Sequence, residues 1–366
     1  MSLKAGIIGL PNVGKTSMFN ALTNSQIEIV DYPFATITPN ISVVEVADKR
    51  VDDIVKIFKP KKTVYATFEL CDISGLAKGA SKGEGLGNQF LAYIREVDAI
   101  LHIVRCFEDE NISHVEQGID PLRDIEIIKL ELILADLQTV ENRINKVERK
   151  AKSNEKEALV EFNCLNKIKG HLLQNQMVFS MELSKEEINI IKNFSLLTLK
   201  PVIYIANMSE EEIVDYQNNE KFQQIYKLAE KENNKALAIC AKLEAELVAF
   251  DKDSKTEFMK DLGIDLSSID QVTKVTYDTL GLCTFFTVGE PEVKAWTFKK
   301  GMKAPECAGV IHSDFERGFI KAECYTFTDL INYGSEAGIK EKGLFRIEGK
   351  EYLVKDGDIL HFRFNV

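Results

Sequence analysis

No stretch of this 366-residue chain is apolar over enough residues to cross a bilayer; the longest, such as AILHIV at 99–104, have the length of a strand. Nor does it contain a C-x-x-C spacing. Its seven cysteines (71, 106, 164, 240, 283, 307 and 324) are scattered and odd in number, which excludes a disulfide frame or a zinc site and fits free thiols in a reducing cytoplasm. Positive charge is short as well: a net charge of −11 excludes a protein that coats nucleic acid by electrostatics alone. Basic residues do cluster locally, at Lys56, Lys59, Lys61 and Lys62, and again at Arg143, Lys146, Arg149, Lys150 and Lys152. The second cluster reads equally as a solvated helix face or as a patch for a large RNA-containing particle. No signal or transit peptide is expected, because residues 1–8 already form an apolar strand that runs into a glycine-containing loop. The remaining composition, 45% apolar and 28% charged, is that of an ordinary globular protein with room for two or three domains.

What the chain does have is a phosphate loop. Gly9-Leu10-Pro11-Asn12-Val13-Gly14-Lys15-Thr16 is a complete G-x-x-x-x-G-K-T, preceded by an apolar strand and followed by a helix. Backbone amides from Asn12 through Val13 and Gly14 to Thr16 are expected to wrap phosphates at the helix N-terminus. Lys15 would reach the β and γ oxygens, and the Thr16 hydroxyl would hold Mg²⁺. Asp72-Ile73-Ser74-Gly75 is a D-x-x-G at the end of the strand VYATFELCDI. There Asp72 would hold Mg²⁺ through water, and the Gly75 amide would face the γ-phosphate. Between the two motifs lies Tyr32-Pro33-Phe34-Ala35-Thr36, which makes Thr36 the candidate switch threonine on Mg²⁺, with Thr38 as its competitor.

Two further absences shape the reading. A GTPase should next show N-K-x-D, which reads guanine; this chain shows Asn207-Met208-Ser209-Glu210 at the end of PVIYIANM. The aspartate of N-K-x-D accepts from guanine N1–H and the 2-amino group, and adenine offers neither. Glu210 is one methylene longer and cannot take the same bidentate position. Asn207 is still able to meet a purine edge, and Met208 to lie along the ring. Hydrogen-bond discrimination against adenine should therefore be lost, and ATP should bind at least as well as GTP. In the alternative, Glu210 simply substitutes and GTP still wins. The second absence is a glutamine after Gly75: Leu76 stands there and cannot orient a water. His114 is the candidate for that task, against the plain reading of an exposed loop histidine. Asn12 is a candidate seat for a monovalent cation such as K⁺, which would supply the charge of an arginine finger. Cys240-Ala241-Lys242 falls where an S-A-K-like base contact belongs, a weak signal on its own.

Strand and helix alternate through the first part, which predicts an α/β fold with a mainly parallel sheet. The expected nucleotide-binding domain is 1–125 with 196–280. Between its halves, Leu130, Ile133, Leu137, Val140, Ile144, Val147 and Ala151 form a heptad seam, and a second stripe runs through Leu159, Phe162, Leu165, Ile168 and Leu172. These predict an antiparallel helical hairpin within an inserted domain, 126–195. From 281 to 366, short β-rich runs with one helix candidate at Thr328 to Tyr333 predict a small β-grasp-like domain.

Taken with GLPNVGKT (9–16), YPFATITPN (32–40), DISGLAKGASKGEGLGNQFL (72–91), DPLRDIEIIKLELILADL (120–137), NMSE (207–210) and DGDILHFRFNV (356–366), the whole chain closely resembles the Obg-like ATPase family, also called YchF. The resemblance implies a P-loop domain, a helical insertion and a C-terminal TGS domain. It also implies preference for ATP, an apolar residue in place of the catalytic glutamine, and ribosome binding. Carried over, nucleotide contacts fall on Asn12 to Ser17 and on Asn207-Met208, and Mg²⁺ ligands on Thr16 and Thr36. Ala35 and Ser74 are small departures within the motifs. The reading is a monomeric, cytoplasmic, Mg²⁺-dependent ATPase without a membrane partner. It would switch on the large subunit or the whole ribosome, and touch rRNA or ribosomal protein through the helical arm and the TGS domain. Its rivals are a GTP-preferring GTPase of ribosome assembly or translation, and a nucleotide-gated RNA- or protein-binding module with vestigial hydrolysis.

Overall fold

The computed structural model describes residues 3–24, 40–73, 86–109, 111–112, 118–247, 250 and 267–365. In chain order the elements are β1 (Lys4–Ile8), α1 (Lys15–Asn24), β2 (Asn40–Glu45), α2 (Lys49–Phe58), β3 (Lys62–Val64), β4 (Thr67–Asp72), α3 (Leu86–Glu96) and β5 (Ala99–Arg105). Next come α4 (Pro121–Lys152), α5 (Lys156–Leu173), α6 (Lys185–Ile191), β6 (Val202–Asn207), α7 (Glu220–Lys231), β7 (Lys235–Ile239), α8 (Ala241–Leu247) and α9 (Ser268–Thr279). The chain ends with β8 (Leu282–Thr287), β9 (Glu292–Lys299), α10 (Ala304–Ile311), α11 (Ser313–Arg317), β10 (Phe319–Thr326), α12 (Phe327–Tyr333), α13 (Glu336–Glu341), β11 (Arg346–Glu348) and β12 (Asp358–Phe364). These pack as two compact units, Met1–Ser42 with Glu69–Ile269 and Val43–Phe68 with Asp270–Val366.

The first sheet has the strand order β2-β4-β1-β5-β6-β7. Parallel pairing joins β1 to β4 and β5, β5 to β6, and β6 to β7. Every residue of β5 and β6 is buried, which is why AILHIVR and VIYIAN read as continuous apolar runs rather than alternating ones. The parallel strands all deliver their carboxyl ends to one edge, where such sheets bind ligands. That edge carries the phosphate loop after β1, Asp72 on β4, Asn207 on β6 and Cys240 after β7.

Helix α4 starts cleanly because Asp120 accepts a hydrogen bond from the Arg123 amide and Pro121 fits the first turn. Its 32 residues span about 48 Å. Ile125, Ile128 and Leu132 pack on Ile100, His102 and Tyr204 of the sheet, around a void of 10 Å³. Further along, Ile133, Val140, Val147 and Ala151 are buried, as are Leu165, Ile168 and Leu172 on the antiparallel partner α5. Arg143–Glu161 and Lys169–Glu141 ion pairs flank the hairpin. The seam is shorter than its heptads suggest: Leu130 is 47% exposed, and Leu159 also faces outward. The reason is rotational. Leu130 lies two residues beyond Ile128, about 200° around the helix from the face that meets the sheet.

The second unit is built on a sheet of order β11-β10-β12-β8-β9-β3. It is antiparallel except where β12 meets β8 and β9 meets β3. Phe285, Phe298, Ala304, Cys307, Ala322 and Phe362 form the centre of its core. Here the structure corrects one expectation. VYATFELCDI is not one strand: it breaks at Tyr65-Ala66, so that β3 joins this sheet and β4 the first. Side-chain bonds fix the break. The Tyr65 hydroxyl donates to Asp52 (2.6 Å), the Val46 amide donates to the Ala66 carbonyl (2.8 Å), and the Thr297 hydroxyl donates to the Thr67 carbonyl (2.9 Å). Arg50 on α2 then reaches Asp356 at 2.7 Å. Helices α10, α11 and α13 were also not anticipated, since eight, five and six residues are too few to display a period. The start of α10 is nonetheless written locally, with Pro305 in its first turn and Glu306 accepting from the Lys303 amide at 2.7 Å.

Asp136 on α4 is a fully buried carboxylate that ties this helix to the segment before β6. It accepts from the Leu197 amide (3.0 Å), the Thr198 amide (2.8 Å) and the Thr198 hydroxyl (2.6 Å). Burial pushes its pKa up, and these donors oppose the rise. In Asp136→Asn an amide N–H₂ must face one of the donors. The substitution is therefore expected to cost about 2–3 kcal/mol in urea unfolding, and a loss under about 0.5 kcal/mol would contradict this role.

Candidate nucleotide-binding site

The edge of the first sheet opens into a cavity of about 900 Å³ lined by Asn12, Gly14, Lys15, Thr16, Ser17, Asn207, Met208, Glu210 and the Cys240–Lys242 turn. At its floor the phosphate loop turns through left-handed backbone, with φ 61° at Asn12 and 97° at Gly14. That geometry points successive amides inward ahead of the α1 N-terminus, a concavity suited to an anion. Val13 is buried beneath the loop, while Thr16 and Ser17 are exposed to the cavity.

Asn207 holds this floor to the opposite wall. Its Nδ2 donates to the Val13 carbonyl (2.9 Å), and its Oδ1 accepts from the Ala241 amide (3.0 Å). Backbone bonds reinforce the junction: Cys106 N–H donates to the Asn207 carbonyl and Met208 N–H to the Ile239 carbonyl, both at 2.8 Å. A Cβ on Gly14 would stand against the Asn207 amide nitrogen, inside van der Waals contact. Glycine is required there twice over, by φ and by space.

Lys15 and Asp72 form the polar centre. The Lys15 ammonium donates to the Leu10 carbonyl at 2.7 Å. Burial pushes its pKa down, and the charge of Asp72 works against that. Asp72 is itself buried and raised by burial, with Lys15 opposing. Its Oδ1 is buried with no hydrogen-bond partner among the described residues. A buried carboxylate oxygen without a donor among the described residues, coupled to the phosphate-loop lysine, is of the chemistry that suits an oxygen-ligated Mg²⁺. Nearby on β5, His102 is fully buried and its pKa is lowered to about 3, first by burial and then by Lys15, so it stays neutral.

The wall after β5 was not foreseen. Phe107, Glu108, Asp109 and Ile112 line the cavity, and buried Arg105 organises them. Its guanidinium donates to the carbonyls of Phe107 (3.2 Å), Ile112 (3.0 Å) and Asp109 (3.3 Å), and lies 4.6 Å from the Phe107 ring centre. The available signal was an arginine inside the apolar run AILHIVRCF. On the other wall Met208 is only 2% exposed, which leaves little of its side chain open to a base. Glu210 pairs with Lys242, Oε2 to Nζ, at 2.9 Å. The structure thus brings together Asn12, Val13, Gly14, Lys15, Thr16, Ser17, Asn207, Met208 and Glu210, with Asp72 alongside Lys15. Thr36, Thr38, Gly75, Leu76 and His114 lie outside the described residues.

Gly14→Ala should reduce nucleotide affinity at least ~100-fold in titration calorimetry, because the loop and the Asn207 amide cannot both keep their positions. A loss below about fivefold would show that the loop relaxes without harm.

The same architecture occurs in known proteins. Residues 4–163 match the family described as 50S ribosome-binding GTPase, and residues 282–365 match the YchF-GTPase C-terminal family, described as a protein of unknown function. The ribosome-binding ATPase YchF of Bacillus subtilis is 53% identical over 366 residues, covering 100% of both chains. That of Mycoplasma genitalium is 49% identical over the same full length. A solved structure of the Schizosaccharomyces pombe YchF GTPase superposes with a TM-score of 0.87 at 37% identity, covering 99% of this chain and 98% of that one. Identity of this order along the full length, on a phosphate-loop domain with a helical insertion and a second mixed sheet, establishes that the chain belongs to the ribosome-binding ATPase YchF family.

Proposed function

We propose that this protein hydrolyses ATP, in preference to GTP, with Mg²⁺, and that it works in the cytoplasm as a nucleotide-dependent switch on the ribosome. The observation that carries the reading is the meeting of the phosphate loop with Asn207-Met208-Ser209-Glu210 in one cavity, joined by the Asn207 amide. Among the described residues no helix is long and apolar enough to cross a membrane.

In this account the amides of Asn12 to Thr16 wrap the β-phosphate, and Lys15 exchanges the Leu10 carbonyl for the β and γ oxygens. Phosphate charge would restore the pKa that burial lowers at Lys15. Thr16 and Asp72 would hold Mg²⁺ together with Thr36, and the ion would supply positive charge against the phosphates. Asn12 seats a monovalent cation such as K⁺. His114 orients the attacking water in place of the glutamine absent at Leu76; its support is its place in the sequence. The base lies toward Asn207 and Met208, where the longer Glu210 does not reproduce the guanine contact of an aspartate. The helical insertion, 126–195, and the C-terminal domain, 281–366, are the surfaces proposed to meet rRNA or ribosomal protein.

Calorimetric dissociation constants should favour ADP over GDP or leave them equal; a GDP preference of about tenfold or more would replace the ATPase by a GTPase of the same architecture. Co-sedimentation with ribosomal subunits in ATP, ADP, GTP or no nucleotide should differ between states, and identical pelleting in all four would remove the switch. At saturating ATP, Asp72→Asn, Asn12→Ala and His114→Ala should each slow turnover about tenfold or more. For Asp72→Asn the loss should be partly recovered by excess Mg²⁺. Wild-type rates in any of the three would remove that residue from the mechanism.

A further inference from the structure

We infer that Lys242 is a specificity-determining positioning residue: its ammonium holds the Glu210 carboxylate in an ion pair, so this carboxylate is not a free anionic acceptor for guanine. The inference deepens the ATP-preferring reading and rests on it. Both side chains line the nucleotide cavity, and their Nζ–Oε2 distance is 2.9 Å across 32 positions of sequence. Their backbones are not free to drift apart. Ala241, just before Lys242, gives its amide to the Asn207 side chain at 3.0 Å. On the other side, Met208 gives its amide to the Ile239 carbonyl at 2.8 Å. Ser209 is tied to Glu212, hydroxyl to carboxylate, at 3.1 Å. The same asparagine that grips the phosphate loop therefore sets the separation of the pair.

The charge distribution leaves Lys242 in a singular place. Among the described lining residues the cations are Lys15, at the phosphate end, and Lys242, at the base end. Glu108, Asp109, Glu210 and Glu246 supply negative charge to the same cavity. An unpaired carboxylate at 210, though too long for the paired contact of an aspartate, would accept a single hydrogen bond from guanine N1–H or its 2-amino group, while facing the lone pair of adenine N1. Pairing with Lys242 withdraws that reward from guanine and that repulsion from adenine. Lys242 is 70% exposed and Glu210 43%, so the effect is modest and both positions tolerate substitution without threatening the fold.

The test is a double-mutant cycle read by calorimetry with ADP and GDP on the full chain. Lys242→Ala should tighten GDP by about threefold while ADP holds or weakens, and Lys242→Arg should keep the wild-type ratio. In the Glu210→Gln background, Lys242→Ala should change neither nucleotide selectively. A Lys242→Ala effect that is equal for both bases, or that is the same with Glu210 and with Gln at 210, overturns the inference. The ADP-to-GDP ratio of the unaltered protein tests the ATP-preferring reading separately. The coupling between positions 242 and 210 in GDP binding decides the role of Lys242 whichever way that ratio falls.

Discussion

A single side-chain amide is what the rest of this site depends on. Asn207 has one donor on the Val13 carbonyl and its acceptor on the Ala241 amide, so three turns at the carboxyl ends of three strands are fixed by one residue. The bonds are buried, where a lost partner leaves a polar group unsatisfied rather than hydrated. This gives Asn207 a structural task that holds whatever base the cavity takes. Part of its work is internal to the protein and does not involve the base. It also explains the glycine at 14, since any Cβ there would occupy the volume of that amide.

Around this junction the site balances buried polar groups against one another. Lys15 and Asp72 are each disfavoured as ions by burial and each favoured by the other. Arg105 does the equivalent work for the wall after β5, where three backbone carbonyls receive one guanidinium. Five donors in a planar fork suit that task in a way a lysine would not. The pocket is thus shaped by polar side chains that are spent on the backbone, and its open chemistry is left to the loop amides and Thr16, with Asp72 alongside Lys15 keeping an oxygen that has no partner among the described residues.

The break of VYATFELCDI into two strands assigns part of the N-terminal sequence to the second unit. Residues Val43–Phe68 fold with the C-terminal unit, fastened by Arg50 to Asp356 and by β3 along β9. In sequence they lie directly between the segment carrying Thr36 and the strand ending at Asp72. Both residues proposed to respond to Mg²⁺ and the γ-phosphate therefore flank a stretch that belongs to the C-terminal unit.

Much of the protein was legible in its sequence, because the signals are local. The phosphate loop needs one strand, two glycines, a lysine and a threonine in order, and Asp72 needs only a strand end. The long hairpin follows from apolar spacing, and the β-rich tail from its short runs and turns. What the sequence could not show is what depends on which surfaces meet. Leu130 keeps the heptad yet faces outward, because α4 turns another face to the sheet before it meets α5. The division of β3 from β4 rests on Tyr65, Val46 and Thr297, which become partners only in three dimensions. The same holds for the base end of the cavity: the sequence alone determined that the guanine reader had changed, from N-K-x-D to Asn207-Met208-Ser209-Glu210. The tertiary structure decided where the carboxylate of Glu210 goes, because its partner Lys242 lies 32 residues away and reaches it only across a turn held by Asn207.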